Sequence, residues 1–241
     1  MKAGNLGQIF FMKLNIQEIL RYFDIKESTD YGDTTAAIAI VGEDLGASLF
    51  QHYCENERKS KIRVVDANEE IPTTGRKKGP RLDRWILQRV GDQQILYQAE
   101  VKSWCARAIG GSNIPLDISD EELRKLTIRN WIKVLDTLNS GEINGLNKVL
   151  IEMKNDNRLK IRGEYKKQPL IIFWDAKSPD KNDFFGRYNI PKRHFDFNYC
   201  WVFSCSLYLR HLSRKGKRKL SVEIPNAKRR LEALNRLFCV E

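Results

Sequence analysis

Gly79-Pro-Arg-Leu-Asp-Arg-Trp-Ile-Leu-Gln-Arg-Val-Gly-Asp-Gln-Gln-Ile-Leu-Tyr-Gln-Ala-Glu-Val-Lys-Ser-Trp104 decides the fold. β-branched and aromatic residues fill both arms, and Gly91-Asp92 between them suits a two-residue hairpin turn. With those two residues as the loop, Val90 faces Gln93, and counting outward sets Asp83 opposite Glu100. Facing partners have Cβ atoms roughly 5 Å apart. Lys102 falls two residues past Glu100, on the same face, because side chains alternate along a strand.

Like charges directly opposite one another destabilise a strand pair. Their face also carries Trp85, Leu87 and Leu96, with Gln98 among them. The other face carries Leu82, Ile86, Ile95, Tyr97 and Val101. Both faces read as covered, so two carboxylates there need a counter-charge. A divalent cation with oxygen ligands would supply it; Lys102 alone, in a structural charge cluster, is the plainer alternative.

Asp83, followed by Glu100-Val101-Lys102 at the end of the next strand, resembles the signature of the PD-(D/E)XK nuclease superfamily. The family often has proline directly before the aspartate; here Leu82 stands there, with Pro80 two residues earlier. By order of elements the resemblance runs from about Gly42 to Asp175. It implies an α/β fold, a restriction-endonuclease-like central mixed β-sheet flanked by helices. The chain then reads as one domain over 1–241, with its core at about 34–178 and a basic C-terminal extension over 179–241.

The resemblance also implies chemistry. Asp83, Glu100 and Lys102 would be catalytic. Asp83 and Glu100 would hold Mg²⁺, or Mn²⁺, and no His or Cys set competes with these hard oxygen ligands. Many members place a glutamate from the first core helix beside the metal, and Glu43 fits that role. The implied activity is metal-dependent phosphodiester hydrolysis, a DNA endonuclease of restriction or defence type by analogy, with RNA left open. The alternative is a catalytically inactive nucleic-acid-binding protein on the same fold. A homodimer stays open, because many double-strand cutters pair, though no coiled-coil heptad announces one.

Residues 34–57 read as a helix with two apolar stripes. Glu43 is the one charge in the stripe of Ile40, Ala47, Phe50 and Cys54. Either it faces the metal, or Gly42 breaks the segment and Glu43 complements a helix N-terminus. Asp44 shares a face with Ser48 and Gln51 and reads as solvated. Asp175-Ala-Lys177 is a rival acid-x-lysine pattern. No upstream hairpin sets a second acid opposite it, so it reads as a strand end.

Elsewhere the pattern predicts a helix over 12–23, a strand near 62–66, a helix over 119–138 with Ser119 and Glu122 as a capping box, and a short helix over 146–153. A buried strand over 168–175, a loop over 178–194, one or two strands over 195–212 and a last helix over 225–238 complete the reading. Gly110-Gly111-Ser112 has no lysine behind it and is no phosphate loop.

The 241 residues carry a net charge of +11, with 41% hydrophobic and 30% charged residues. Such a balance favours a polyanionic partner, most simply DNA. Two basic stretches could contact its backbone: Arg76, Lys77 and Lys78 between glycines just before Asp83, and Arg214, Lys215, Lys217, Arg218 and Lys219. Each could equally be a solvated surface. Five scattered cysteines without a CxxC pair point to a reducing compartment and against a disulfide framework. Without a long apolar run or a signal-peptide pattern, the expectation is a cytoplasmic protein with no membrane span.

Overall fold

The structure is a computed structural model and describes residues 11–24, 26, 31–65, 83–102, 113–139, 150, 164–181, 183–190, 197–224, 226–227, 230–232 and 236. Strand β3 (Arg84–Val90) turns at Gly91-Asp92 into β4 (Gln93–Lys102). Val90 pairs with Gln93 and Arg84 with Ala99, the register that the two-residue loop predicts. Gly91 has φ +58°, a left-handed conformation that residues with a Cβ adopt at a cost. On the outer side of β3, β2 (Lys61–Val64) pairs antiparallel.

The sheet continues with parallel strands. β5 (Lys166–Phe173) lies beside β4, and its apolar run is buried on both faces. β7 (Tyr199–Ser204) lies parallel to β5, and β6 (Phe185–Asn189) closes the edge antiparallel to β7. The order β2-β3-β4-β5-β7-β6 makes a six-stranded mixed sheet. β6 and β7, from the segment read as a C-terminal extension, thus lie in the same sheet as the hairpin.

A long helix, α2 (Tyr31–Asn56), packs on the face of Ile86, Tyr97 and Val101. The contact is close at Gly46, where a Cβ would meet Val101 Cγ1 at 3.0 Å. Trp131 and Val134 of α3 (Asp120–Asn139) join Trp85, Leu96 and Phe173 on the opposite face. The capping box forms: Glu122 N donates to Ser119 Oγ at 3.3 Å, and Ser119 N donates to Glu122 Oε2 at 3.1 Å. The result is a mixed α/β layer structure with helices on both sides of the sheet.

Four expectations need correction. Residues 11–15 form a strand, β1 (Phe11–Asn15), before the helix α1 (Ile16–Tyr22) begins at an Asn15 cap. β6 occupies part of the expected loop; it is a short edge strand of mixed composition, so its signal is weak. Beyond β7 the chain does not extend into another strand but enters α4 (Cys205–Arg214), capped by Ser204. Cys205, Tyr208, Leu209 and Leu212 are its buried stripe at helical spacing, and it overrides the apparent alternation of Leu207 and Leu209. Last, β8 (Lys219–Glu223) pairs antiparallel with β1, so the basic stretch ends in a strand. The helices expected over 146–153 and 225–238 lie largely outside the described residues, which are helical at 150, 227, 230–232 and 236. Among the described residues no helix is long and apolar enough to cross a membrane.

Candidate functional site

Three side chains meet at the end of the hairpin. Asp83 immediately precedes β3, one step beyond the Arg84–Ala99 pair, which aligns it with Glu100. Its Oδ2 accepts the Val101 amide at 2.7 Å, so the carboxylate is fastened to β4 beside Glu100. Glu100 is buried, and its Oε1 accepts the Lys102 ammonium at 2.5 Å. The alternation of the strand delivers this meeting: residues 100 and 102 point to one side, and residue 101 points into the core under α2.

The electrostatics follow from burial. Desolvation pushes the Asp83 carboxyl up to about 6, with the Glu43 charge adding to the rise; the Val101 amide, Lys102 and Arg84 act against it. An acid whose charged form is disfavoured in this way, beside a second acid and an ammonium, suits capture of a cation. The donors available are carboxylate oxygens, which fit a hard ion such as Mg²⁺ or Mn²⁺.

Glu43 stands in the middle of α2, since Gly42 does not break the helix. It lies near enough to Asp83 for its charge to bear on that carboxyl. Its own Oε2 is held by two guanidinium groups, Arg84 at 3.1 Å and Arg230 at 2.7 Å. The structure therefore brings Glu43 to the neighbourhood of the hairpin end, engaged by arginines.

Asp44 is not solvated. Its side chain is 0% exposed and is paired with the Arg84 Nε. Burial pushes its carboxyl up, and Arg84 opposes that shift. The cause is that α2 is covered on two sides. The sheet covers one, and β8 covers another, where Ser48 donates to the Glu223 carbonyl. Arg84 is the residue that sequence reasoning missed. A signal existed, because alternation places Arg84 on the apolar face with Ile86, where a cation needs an anion.

Asp175 and Lys177 form a second buried acid–lysine pair at 2.6 Å, just past β5. Asp175 Oδ1 accepts the Ala176 amide at 2.8 Å, and the Lys177 ammonium lies 5.6 Å from the centroid of the Phe173 ring. Phe173 is level with Lys102 in the parallel register, so this pair stands at the same end of the sheet as the hairpin acids. With Lys177 only 3% exposed, it is packed inside the fold.

Of the basic residues, Arg76, Lys77 and Lys78 lie outside the described residues. Arg214, Lys215, Lys217, Arg218 and Lys219 form an exposed knuckle between α4 and β8, turned by Gly216 at φ +79°. Two of them already have anions: Arg214 pairs with Asp120, and Lys215 reaches Glu57 at 3.0 Å. Arg210, from the same stretch of sequence, is buried. It donates to the carbonyls of Ile114 and Pro115 at 2.9 and 2.8 Å, which makes it a clamp on that loop. Cys54, Cys200 and Cys205 are buried, free thiols.

Comparison with family models, with curated proteins and with solved structures finds no match for this chain.

Proposed function

We propose that the protein is a metal-dependent nuclease acting on DNA, with Asp83, Glu100 and Lys102 as its working residues. The observation that carries this reading is the hairpin end: register aligns two acids there, burial raises one of them, and an ammonium bonds the other. The order of elements supports it, since α2, three antiparallel strands, α3 and a parallel strand follow one another as the superfamily resemblance implies.

In this reading Asp83 and Glu100 would hold the cation through carboxylate oxygens, and Glu43, paired with Arg84 and Arg230, would be the third acid available to it. Mg²⁺ or Mn²⁺, once bound, would polarise the scissile phosphate and acidify a water molecule. The Val101 amide fixes the orientation of Asp83 through its Oδ2. Lys102, transferring its bond from Glu100 to the substrate, stabilises charge developing on the phosphate. Restriction or defence cutting is the biological setting suggested by analogy with the superfamily.

A second reading, an inactive nucleic-acid-binding protein on this fold, is favoured by one observation. Glu100 is already neutralised by Lys102, and Glu43 by Arg84 and Arg230. Cleavage of linear, circular and single-stranded DNA with Mg²⁺, Mn²⁺ or EDTA separates the two. The nuclease reading expects cleavage only with the metals and a loss of at least about a hundredfold in Asp83→Asn and Lys102→Ala. Binding without cleavage under every condition would leave the second reading standing.

A further inference from the structure

The face of the sheet opposite the acids carries an aromatic row. At its outer edge, Phe185 of β6 stacks on Trp201 of β7 with centroids 4.9 Å apart and planes 13° off parallel. Tyr199 meets Trp201 edge-on at 5.9 Å. Each end of the row is capped by a planar cation: Arg58 lies 5.5 Å from the Phe185 centroid and Arg187 lies 5.4 Å from that of Tyr199. Trp201 is fixed from the neighbouring strand β5, its Nε1 donating to Gln168 Oε1 at 2.6 Å. Trp201 and Tyr199 remain part-exposed, and Arg58 and Arg187 are exposed.

We infer that part-exposed Trp201 and Tyr199, backed by buried Phe185 and flanked by Arg58 and Arg187, form a stacking platform for single-stranded nucleic acid, separate from the acidic site. Three features select that occupant. Flat rings and guanidinium planes offer π-faces to unpaired bases, and such stacking tolerates any base. Duplex DNA keeps its base faces hidden, so it can engage the arginines but not the rings. The exposed cations face a polyanion in a chain of net charge +11, and exposed Lys166 lies on the same face two residues before Gln168. An acidic protein would be satisfied by the cations alone and would gain nothing from the rings between them.

The platform stands on the other face of the sheet from Glu100 and Lys102; Phe185 is level with Val101, Trp201 with Ala99, and Tyr199 lies further from the acids along the strands. It does not rest on the nuclease reading, because a strand can lie across it whether or not the acids cut. It could hold a displaced or unpaired strand while duplex contacts the basic knuckle.

The test is equilibrium binding by fluorescence anisotropy in EDTA. The probes are a labelled oligothymidylate of about 15 nucleotides and a duplex of the same length. Tyr199→Ala should weaken oligothymidylate binding by about tenfold and leave duplex binding within about twofold, whereas Arg187→Ala should weaken both probes. Tyr199→Phe should bind as the parent does. Circular dichroism melts confirm that each variant is folded, and intrinsic tryptophan fluorescence should be quenched by oligothymidylate in the parent. Equal losses on both probes in Tyr199→Ala would reduce the surface to plain charge and overturn the proposal, as would undiminished oligothymidylate binding in that folded variant. Asp83→Asn should bind both probes normally, so a failed cleavage assay and a failed platform give different results.

Discussion

Asp83 carries its burden in the unliganded protein, because its carboxyl titrates near 6 in the fold against an ordinary 3.8. Between those two pH values the folded chain keeps a proton that the unfolded chain has released. Stability from this group is therefore full below about 3.8 and is lost as pH rises through about 6. Asp83→Asn removes the penalty, so at pH 8 in EDTA its melting temperature should rise by a few degrees, while on the nuclease reading its cleavage in Mg²⁺ should be lost. A melting temperature that falls instead would mean that Asp83 is a structural anion. Cations compete with the same proton, so Mg²⁺ affinity measured by calorimetry should climb from pH 5 to 7 and then level off. Arg84 answers to the opposite logic. Arg84→Met leaves Asp44 charged and buried without its partner and should cost about 3–5 kcal/mol in urea unfolding. Asp44→Asn in the same chain should restore part of it. Asp83, Glu100 and Lys102 were legible from alternation and one hairpin turn. Asp44 was not, because a helical wheel shows which residues share a face and not how many faces the fold covers.

At the scale of elements, α2 sets the floor beneath Val101, the residue between Glu100 and Lys102. The helix can approach because residue 46 has no side chain. A Cβ there would stand 3.0 Å from Val101 Cγ1 and 3.3 Å from Ile172 Cγ2. Gly46→Ala gains about 1 kcal/mol of helix propensity and loses about 1–3 kcal/mol to overpacking, so crowding wins. The expected net loss is about 1 kcal/mol in urea unfolding, and Gly46→Val should lose more. A gain in stability would show that α2 rides higher on the sheet. The hairpin, α2, α3 and β5 were readable because each is long or strongly patterned. α4 was not, since Leu207 and Leu209 mimic a strand; its true stripe of Cys205, Tyr208, Leu209 and Leu212 emerges only when the Ser204 cap is taken as the start. β6 is five residues of mixed polarity at a sheet edge, and such strands carry little local signal.

For the whole molecule, the decisive contact is between its two distant ends, β1 and β8, which no local pattern announces. Five alternating residues at each end look like nothing in isolation, and the basic stretch before β8 invites reading as an appendage. Yet Leu220, Val222 and Ile224 are buried in the same cluster as Leu14 and Phe50, and Ser48 of α2 bonds the Glu223 carbonyl. A chain ending at Arg218 keeps all six strands of the main sheet and all three hairpin residues. It loses Leu220, Val222 and Ile224, worth about 1.5–3 kcal/mol each on burial, and the smaller Ala227. That sum is a large share of the stability of an ordinary domain, about 5–15 kcal/mol. The shortened chain should therefore melt without a cooperative transition, or at a midpoint well over ten degrees lower, and should be cleaved rapidly by trypsin. Were residues 219–241 an independent tail, the truncated protein would instead melt as the full chain does. The loss would also strip Arg230 from Glu43, so any folded fraction should bind Mg²⁺ at least as tightly as the parent, a result that calorimetry can separate from simple unfolding.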